Sequence, residues 1–429
     1  MLLVYTHKIT PRVTYIFKHV FENLLEISVS FTSTIETFVA HSGPKMSYTA
    51  KPLGNEFFVA SHSLLFERGI VAHDTSIQDW DGVPSFFKTD EKSPIPYDVF
   101  AASFFLLSRY EEATFQTKTS AELFDSKDSL AVKEGFLELP VVDLWMFKVH
   151  QIMSSHFEEI KSYQKIPSEK ELLIDVPLTF KFLHRSFLVA LETFIKSVVQ
   201  FNALNIYNQL MVLLRLEDDP YDSFDSWSQW FEEPRLQPKV FFRYSNSSAY
   251  ESTVSTFNRS LQSRIKKMGD SYPLGLLLSV QSQLKPELGL DLEKKRFQGL
   301  THRQVKISRI PKSYRQLSEV YADLVDFEFS DDYSMGYVDE IGFRAGTSTP
   351  FYFYDLTNEF QLPLKVHPVV ATETALGKRK SSEVFSSLEY IFQNLPLTCS
   401  RLTIALSNGF LHPVNQNLPL QKAFKDYIK

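Results

Sequence analysis

Past residue 170 the chain repeats one pattern, a short apolar run followed by a longer amphipathic stretch. Leu172–Val176, Lys239–Tyr244, Leu274–Val280, Val305–Ser308, the Phe343 region, Leu364–Ala371 and Arg401–Leu406 read as strands. Helical spacing over Leu183–Leu214, Tyr250–Lys267, Pro286–Arg296, Pro311–Leu324 and Ser381–Gln393 separates most of them. Connectors this long are not hairpin turns; they are what a parallel strand pair requires. The expected fold class is therefore α/β, with a distorted, closed or nearly closed (β/α) barrel of parallel strands. In such a barrel chemistry gathers at the C-terminal ends of strands, where Asp175, Ser279, Arg344 and Ser407 are expected.

Residues 1–165 form a smaller α/β pattern. Leu2–Tyr5 reads as a strand, and Thr10 as a helix N-cap with Pro11 in the first helical position. Val13, Ile16, Phe17, Val20, Phe21 and Leu24 then give one apolar face. Ile27–Phe31 alternates as a half-buried strand does, and Lys45–Thr49 reads as another. Asn55–Arg68, Asp98–Glu112 and Pro140–Phe157 read as helices, and the polar Ser162–Lys170 as a linker. The expected domains are 1–165, of unknown role, and 171–429, the barrel.

The 429 residues carry a net charge of −6, which argues against a general nucleic-acid binder. The single cysteine, Cys399, excludes an internal disulfide framework and reads as a core residue at a strand start. Lys8, Pro11 and Arg12 interrupt the N-terminal apolar run, so no signal peptide is expected. Phe187–Leu214 is apolar-rich but broken by Glu192, Lys196, Gln200, Asn202 and Asn205, so no membrane span is expected. A soluble cytoplasmic protein is the default expectation. The 38 Phe and 19 Tyr fit dense core packing or, in part, stacking on sugar faces.

One segment is unusually dense in glycine and aromatics. Ser334-Met-Gly-Tyr-Val-Asp-Glu-Ile-Gly-Phe-Arg-Ala-Gly-Thr-Ser-Thr-Pro-Phe-Tyr-Phe-Tyr-Asp-Leu356 reads as strand, tight turn and strand around Arg344. With Leu172-Leu-Ile-Asp-Val176 it resembles the NodB-type polysaccharide deacetylases (carbohydrate esterase family 4). Tyr5-Thr-His-Lys-Ile-Thr-Pro-Arg12, Gln78-Asp-Trp-Asp-Gly82, Phe104-Phe-Leu-Leu-Ser-Arg-Tyr-Glu-Glu112 and Leu139-Pro-Val-Val-Asp-Leu-Trp145 are similar to a two-domain branch of that family common in Bacteroidetes.

The resemblance implies a divalent metal, usually zinc, held by one carboxylate and two imidazoles. It also implies a carboxylate base, an arginine that orients it, and a late histidine acid. By that resemblance Asp175 is the base and Arg344 the orienting arginine. The metal-ligand positions hold Pro177, Leu277 and Val305, and the late histidine is Ser407, followed by Asn408. His184, His302 and His412 are not placed to restore the set, so no resident cofactor is expected.

Each candidate keeps two readings. Asp175 and Arg344 are a remnant base and its orienter, or a structural ion pair. Ser407 and Asn408 bind a sugar hydroxyl, or cap a turn. Tyr337, with Tyr333, Tyr352 and Tyr354, stacks on sugar, or packs the wall. Asp218-Asp-Pro-Tyr-Asp222 reads as a helix terminus with turn residues rather than a metal cluster. The expected function is a polysaccharide deacetylase-like protein, catalytically degenerate, binding glycan or a partner in a bacterial surface-polysaccharide pathway. The alternative is an active hydrolase that removes N-acetyl groups from a sugar with Asp175 as general base; a third reading is a structural or assembly protein. Whether the chain is an enzyme stays open at this point.

Overall fold

The computed structural model describes residues 1–89, 92–118, 123–160, 168–231, 237–396, 400–412 and 418–428. Cys399 and most of the linker segment lie outside them. The chain builds two compact units. The first gathers Met1–Glu169, Met335–Val370 and Tyr390–Leu402; the second gathers Lys170–Ser334, Ala371–Glu389 and Thr403–Lys429. The first break falls beside the expected linker. The glycine- and aromatic-rich segment departs from a simple division of the chain, because most of it folds with the N-terminal residues.

In the first unit, strands β1 (Leu2–Tyr5), β2 (Val29–Thr32), β3 (Lys45–Thr49) and β4 (Phe57–Ala60) form a parallel sheet in the order β2-β1-β3-β4. Asn55–Arg68 is thus not a helix. Phe57-Phe-Val-Ala60 is buried along its whole length, as a strand of a covered parallel sheet must be, and a single 3₁₀ turn, Ser63–Phe66, follows. A small antiparallel pair, β5 (Gln78–Trp80) and β6 (Val83–Ser85), turns on Asp81-Gly82, both at positive φ. Asp98–Glu112 is two helices, Val99–Leu107 and the start of Tyr110–Lys118, with Arg109 between them at φ 54°.

Thr10 caps the helix Pro11–Lys18 as expected, its Oγ1 accepting the Val13 N–H at 3.1 Å. The helix then widens into a π turn over His19–Leu24. His19 is buried there between Tyr15 and Phe351. Neither ring nitrogen meets a hydrogen-bond partner among the described residues, and burial lowers its pKa to about 4. This depressed folded-state value sets the sign of its contribution. Stability is fully present above the unfolded value of 6.5 and is lost as pH falls toward 4. Over that window the loss is roughly 3 kcal/mol. Thermal unfolding of wild type and His19→Phe from pH 7 to pH 4 should show the wild type losing stability faster; parallel curves would contradict this account.

The second unit opens with five parallel strands: β7 (Glu169–Val176), β8 (Lys239–Phe242), β9 (Leu274–Leu277), β10 (Ile307–Arg309) and β11 (Asp331–Met335). The connectors after β8, β9 and β10 carry the helices Arg259–Ser271, Pro286–Thr301 and Leu317–Asp326. The first begins later than Tyr250, because 250–258 is loop, and the last begins later than Pro311. Leu183–Leu214 is a helical hairpin, Phe187–Val199 and Ala203–Leu213.

The chain then returns to the first unit. There β12 (Phe351–Asp355) and β13 (Phe360–Pro368) form an antiparallel hairpin. The Phe343 region is loop rather than strand, so the expected tight turn is a long excursion. Gly342 in that loop has φ 141°, and a Cβ there would strike the Leu137 carbonyl. Two strands complete the second unit, β14 (Ala371–Thr372) and β15 (Arg401–Ser407), which are parallel to each other.

Within the second unit the order is β11-β10-β9-β8-β7-β15-β14. From β7 to β11 every step goes the same way. Right-handed crossovers that always step one way put the helices on one face and curl the sheet, which is barrel winding. β11 and β14 stand at opposite ends of this order, so the winding is partial. The α/β class with parallel strands is what the alternation of strand and helix predicted.

Candidate functional site

The candidate site lies on the inward face of the second unit's sheet. On β7, residues two apart share a face, so Glu171, Leu173 and Asp175 point together. Register then sets the row beside Asp175. Phe241 on β8 is its partner, and Gly275 on β9 is the partner of Phe241. A Cβ at Gly275 would collide with the Phe241 ring, so the glycine is what lets that ring lie flat in the interior. Arg309 closes β10 opposite Leu277.

Arg309 reaches Asp175. Its Nε donates to Asp175 Oδ1 at 2.7 Å and Oδ2 at 2.9 Å, and its Nη1 donates to the Tyr333 carbonyl at 2.5 Å. Both groups are largely withdrawn from solvent. Burial pushes the Asp175 carboxyl up from the usual range; Arg309, and less strongly Arg243, pull it back. One layer below, Lys239 pairs with Glu171, which also accepts from Thr403 Oγ1 at 3.1 Å. The Lys239 ammonium lies 5.3 Å from the centre of the Tyr333 ring, itself packed on Phe241 at 5.6 Å. The inward face thus carries two ion pairs and two rings.

Around that centre the other strand ends serve the backbone. Asn408 is buried, and its side-chain amide donates to the Leu178 and Tyr221 carbonyls at 3.0 and 2.7 Å. The Ser407 N–H donates to Glu373 at 3.0 Å, and its Oγ accepts the Phe410 N–H. Both residues tie the turn after β15, so of their two readings the geometry fits the turn. Ser279 caps the helix Val280–Leu284 and donates to Glu293 at 2.5 Å. Asp219 accepts the N–H groups of Lys181, Phe182, Leu183 and Tyr221, so it ties two loops together rather than ending a helix.

The metal-ligand positions named by the resemblance are apolar in place. Leu277 and Val305 are buried, and Pro177 directly follows β7. His302 ends the helix Pro286–Thr301 at φ 52°, turned to that capping task. Among the described residues no three His, Cys, Asp or Glu side chains are grouped to hold a metal ion.

Arg344 is engaged elsewhere. In the first unit its Nε and Nη2 grip Glu112 at 2.9–3.0 Å, and its guanidinium lies 5.1 Å from the centre of the Tyr337 ring. Arg109 joins from the other side. It donates to Glu112 at 2.7 Å and Glu111 at 2.6 Å, approaches the Tyr337 hydroxyl at 3.3 Å, and bonds the Arg344 carbonyl. The left-handed turn at Arg109 aims that side chain inward. Arg109, Glu112 and Tyr337 are buried. Burial raises the Glu112 carboxyl, but the two arginines outweigh it and the net shift is downward.

The expected Asp175–Arg344 pair is therefore replaced by two pairs, Asp175–Arg309 and Glu112–Arg344, each inside its own unit. Tyr337, Tyr333 and Tyr354 are buried and do not form a stacking platform, while Tyr352 is partly exposed. Sequence reading passed over Arg309 and Glu112. The signal for Arg309 was a cation at the end of a strand, on the side where barrel chemistry gathers. For Glu112 it was the Arg-Tyr-Glu-Glu run after a wholly buried helix, charges that burial requires to be matched.

A family model described as a family of unknown function (DUF7033) matches residues 2–158. No curated protein matches the chain. Among solved structures it is similar to a candidate polysaccharide deacetylase from Mycobacterium smegmatis, with a TM-score of 0.38 and 10% identity, over 62% of this chain and 85% of that one. A likeness at that level is too loose to assign a fold or an activity.

Proposed function

We propose that this protein is a non-hydrolytic relative of the polysaccharide deacetylases that binds a glycan, within a bacterial surface-polysaccharide pathway. The observation that carries the reading is the commitment of Asp175. Both of its oxygens are held by Arg309, and the positions where the resemblance places a Lewis acid's ligands are Pro177, Leu277 and Val305. A carboxylate held by a cation beside apolar side chains has no polarised carbonyl to serve. The resemblance of 172–176 and 334–356 supplies the substrate class.

Binding is expected for N-acetylated oligosaccharides such as chitin fragments, measured by titration calorimetry on the full chain, and unchanged by a chelator. Absence of heat with every acetylated and deacetylated oligosaccharide tried would contradict the proposal. A second reading is a hydrolase with Asp175 as general base. One observation favours it: burial raises this carboxyl and an arginine fixes its orientation, as a base requires. It predicts acetate release that Asp175→Asn abolishes.

A further inference from the structure

The helical hairpin Phe187–Val199 and Ala203–Leu213 in the second unit has its polarity reversed. Ser197 is 3% exposed and Gln209 2%, and both face the seam between the helices. Asn205 Nδ2 donates to Ser197 Oγ at 2.5 Å, and Gln209 Nε2 donates to the Ala190 carbonyl at 2.9 Å. The Thr193 and Ser197 hydroxyls return to carbonyls four residues back in their own helix. The outside, by contrast, is mostly apolar, with Glu192, Lys196, Gln200 and Asn202 its exposed charged and amide residues. Phe187 is 78% exposed and Phe201 93%, and Leu188, Val199, Leu204 and Leu214 are also largely exposed. A hairpin built for water buries its leucines and shows its amides. One built for hydrocarbon hydrogen-bonds its polar groups across small residues and shows its leucines.

Three further observations point the same way. Between Lys196 and Arg215 the sequence has no charged residue, and Lys196 is paired with Glu192 at 3.0 Å. At the tip Phe201 sits at φ 52°, a conformation glycine adopts at least cost and a bulky residue rarely keeps without reason. The helices have 13 and 11 residues, so they are roughly 20 and 17 Å long. That is short of the ~30 Å hydrocarbon core and suits entry into one leaflet. No helix among the described residues is long and apolar enough to cross a membrane.

We infer that this hairpin is a monotopic membrane anchor that inserts its tip, Val199 to Leu204, into the acyl region of one leaflet. The partner is a lipid bilayer held by its hydrocarbon. The net charge of −6 disfavours attraction to anionic headgroups, so neutral lipid suffices. The inference stands apart from the glycan-binding reading, and either can fail alone.

The test is flotation of the full chain with neutral phosphatidylcholine vesicles at low and high salt. The chain is expected to rise with the vesicles equally at both. The double variant Phe201→Asp, Leu204→Asp should lose about a hundredfold or more in partitioning. As these side chains are exposed, the variant should keep its fold. Separately, Phe201→Trp should bind as wild type does, with its emission quenched by lipids brominated along the acyl chain. Failure to float overturns the anchor. If sedimentation velocity then shows a dimer dissolved by the same Asp substitutions, the face belongs to a second copy. If the chain stays monomeric, the face belongs to neither. Flotation without acyl-chain quenching also overturns it, since the tip would not be the inserted part.

Discussion

Glu112→Gln is expected to lower the stability of the first unit by about 3–5 kcal/mol, the range for stranding charge in a buried network. The substitution keeps the size of the side chain and removes the charge that two arginines share. Arg344 then loses its carboxylate, and of its two carboxylates Arg109 keeps only Glu111. Desolvation of the guanidinium groups, which burial already disfavours, then loses its main offset. Chemical denaturation followed by hydrogen exchange in 99–118 and 341–347 would read the loss. A change under about 1 kcal/mol, the range of an exposed pair, would show that the network is solvated and incidental.

Arg309→Met should act as strongly on the second unit, by about 3–5 kcal/mol, because it leaves Asp175 as a buried carboxylate without its main partner. The sign of the accompanying pH effect follows from the same geometry. In the variant only burial and the weaker influence of Arg243 remain on Asp175, so its carboxyl rises further above the unfolded value of 3.8. A raised acid binds its proton more tightly in the folded state, so relative to wild type the loss in the variant should be smallest below the unfolded value and grow as pH rises. Adding Asp175→Leu should recover much of the loss, since an apolar pair replaces the stranded ion. A double variant no more stable than Arg309→Met alone would contradict a structural role for the pair.

Much of the fold was legible before any coordinates. The parallel class followed from strands separated by helical connectors, and the cap at Thr10 and the strands at Leu2–Tyr5 and Lys45–Thr49 fell where their patterns placed them. What periodicity could not resolve was local. A four-residue buried strand such as Phe57–Ala60 carries too few residues to separate a period of two from one of 3.6. The Phe343 region has strand composition, yet its glycines and the bonds of Gly342 and Phe343 to Val370 and Leu137 make it a loop.

The site was half legible. Asp175 ends an apolar strand facing inward, as position alone indicates. Its partner was misassigned because a motif fixes which residues occur together, not which ones touch. The phrases around Arg109–Glu112 and Gly342–Gly346 meet in one place, the Glu112–Arg344 network. Hydrophobic runs also hid the hairpin at 187–213. Of the polar residues that interrupt the apolar segment, Asn205 joins Ser197 and Gln209 in the inner seam, whereas Glu192, Lys196, Gln200 and Asn202 are exposed.

The central claim is that the carboxylate at the end of β7 serves the fold rather than hydrolysis. It is tested most directly by release of acetate from N-acetylated chitin oligosaccharides, comparing the zinc-supplemented full chain with Asp175→Asn. The account predicts no acetate above the variant's background, with or without metal. Turnover by the wild type that disappears in Asp175→Asn would contradict it and restore Asp175 as a working general base.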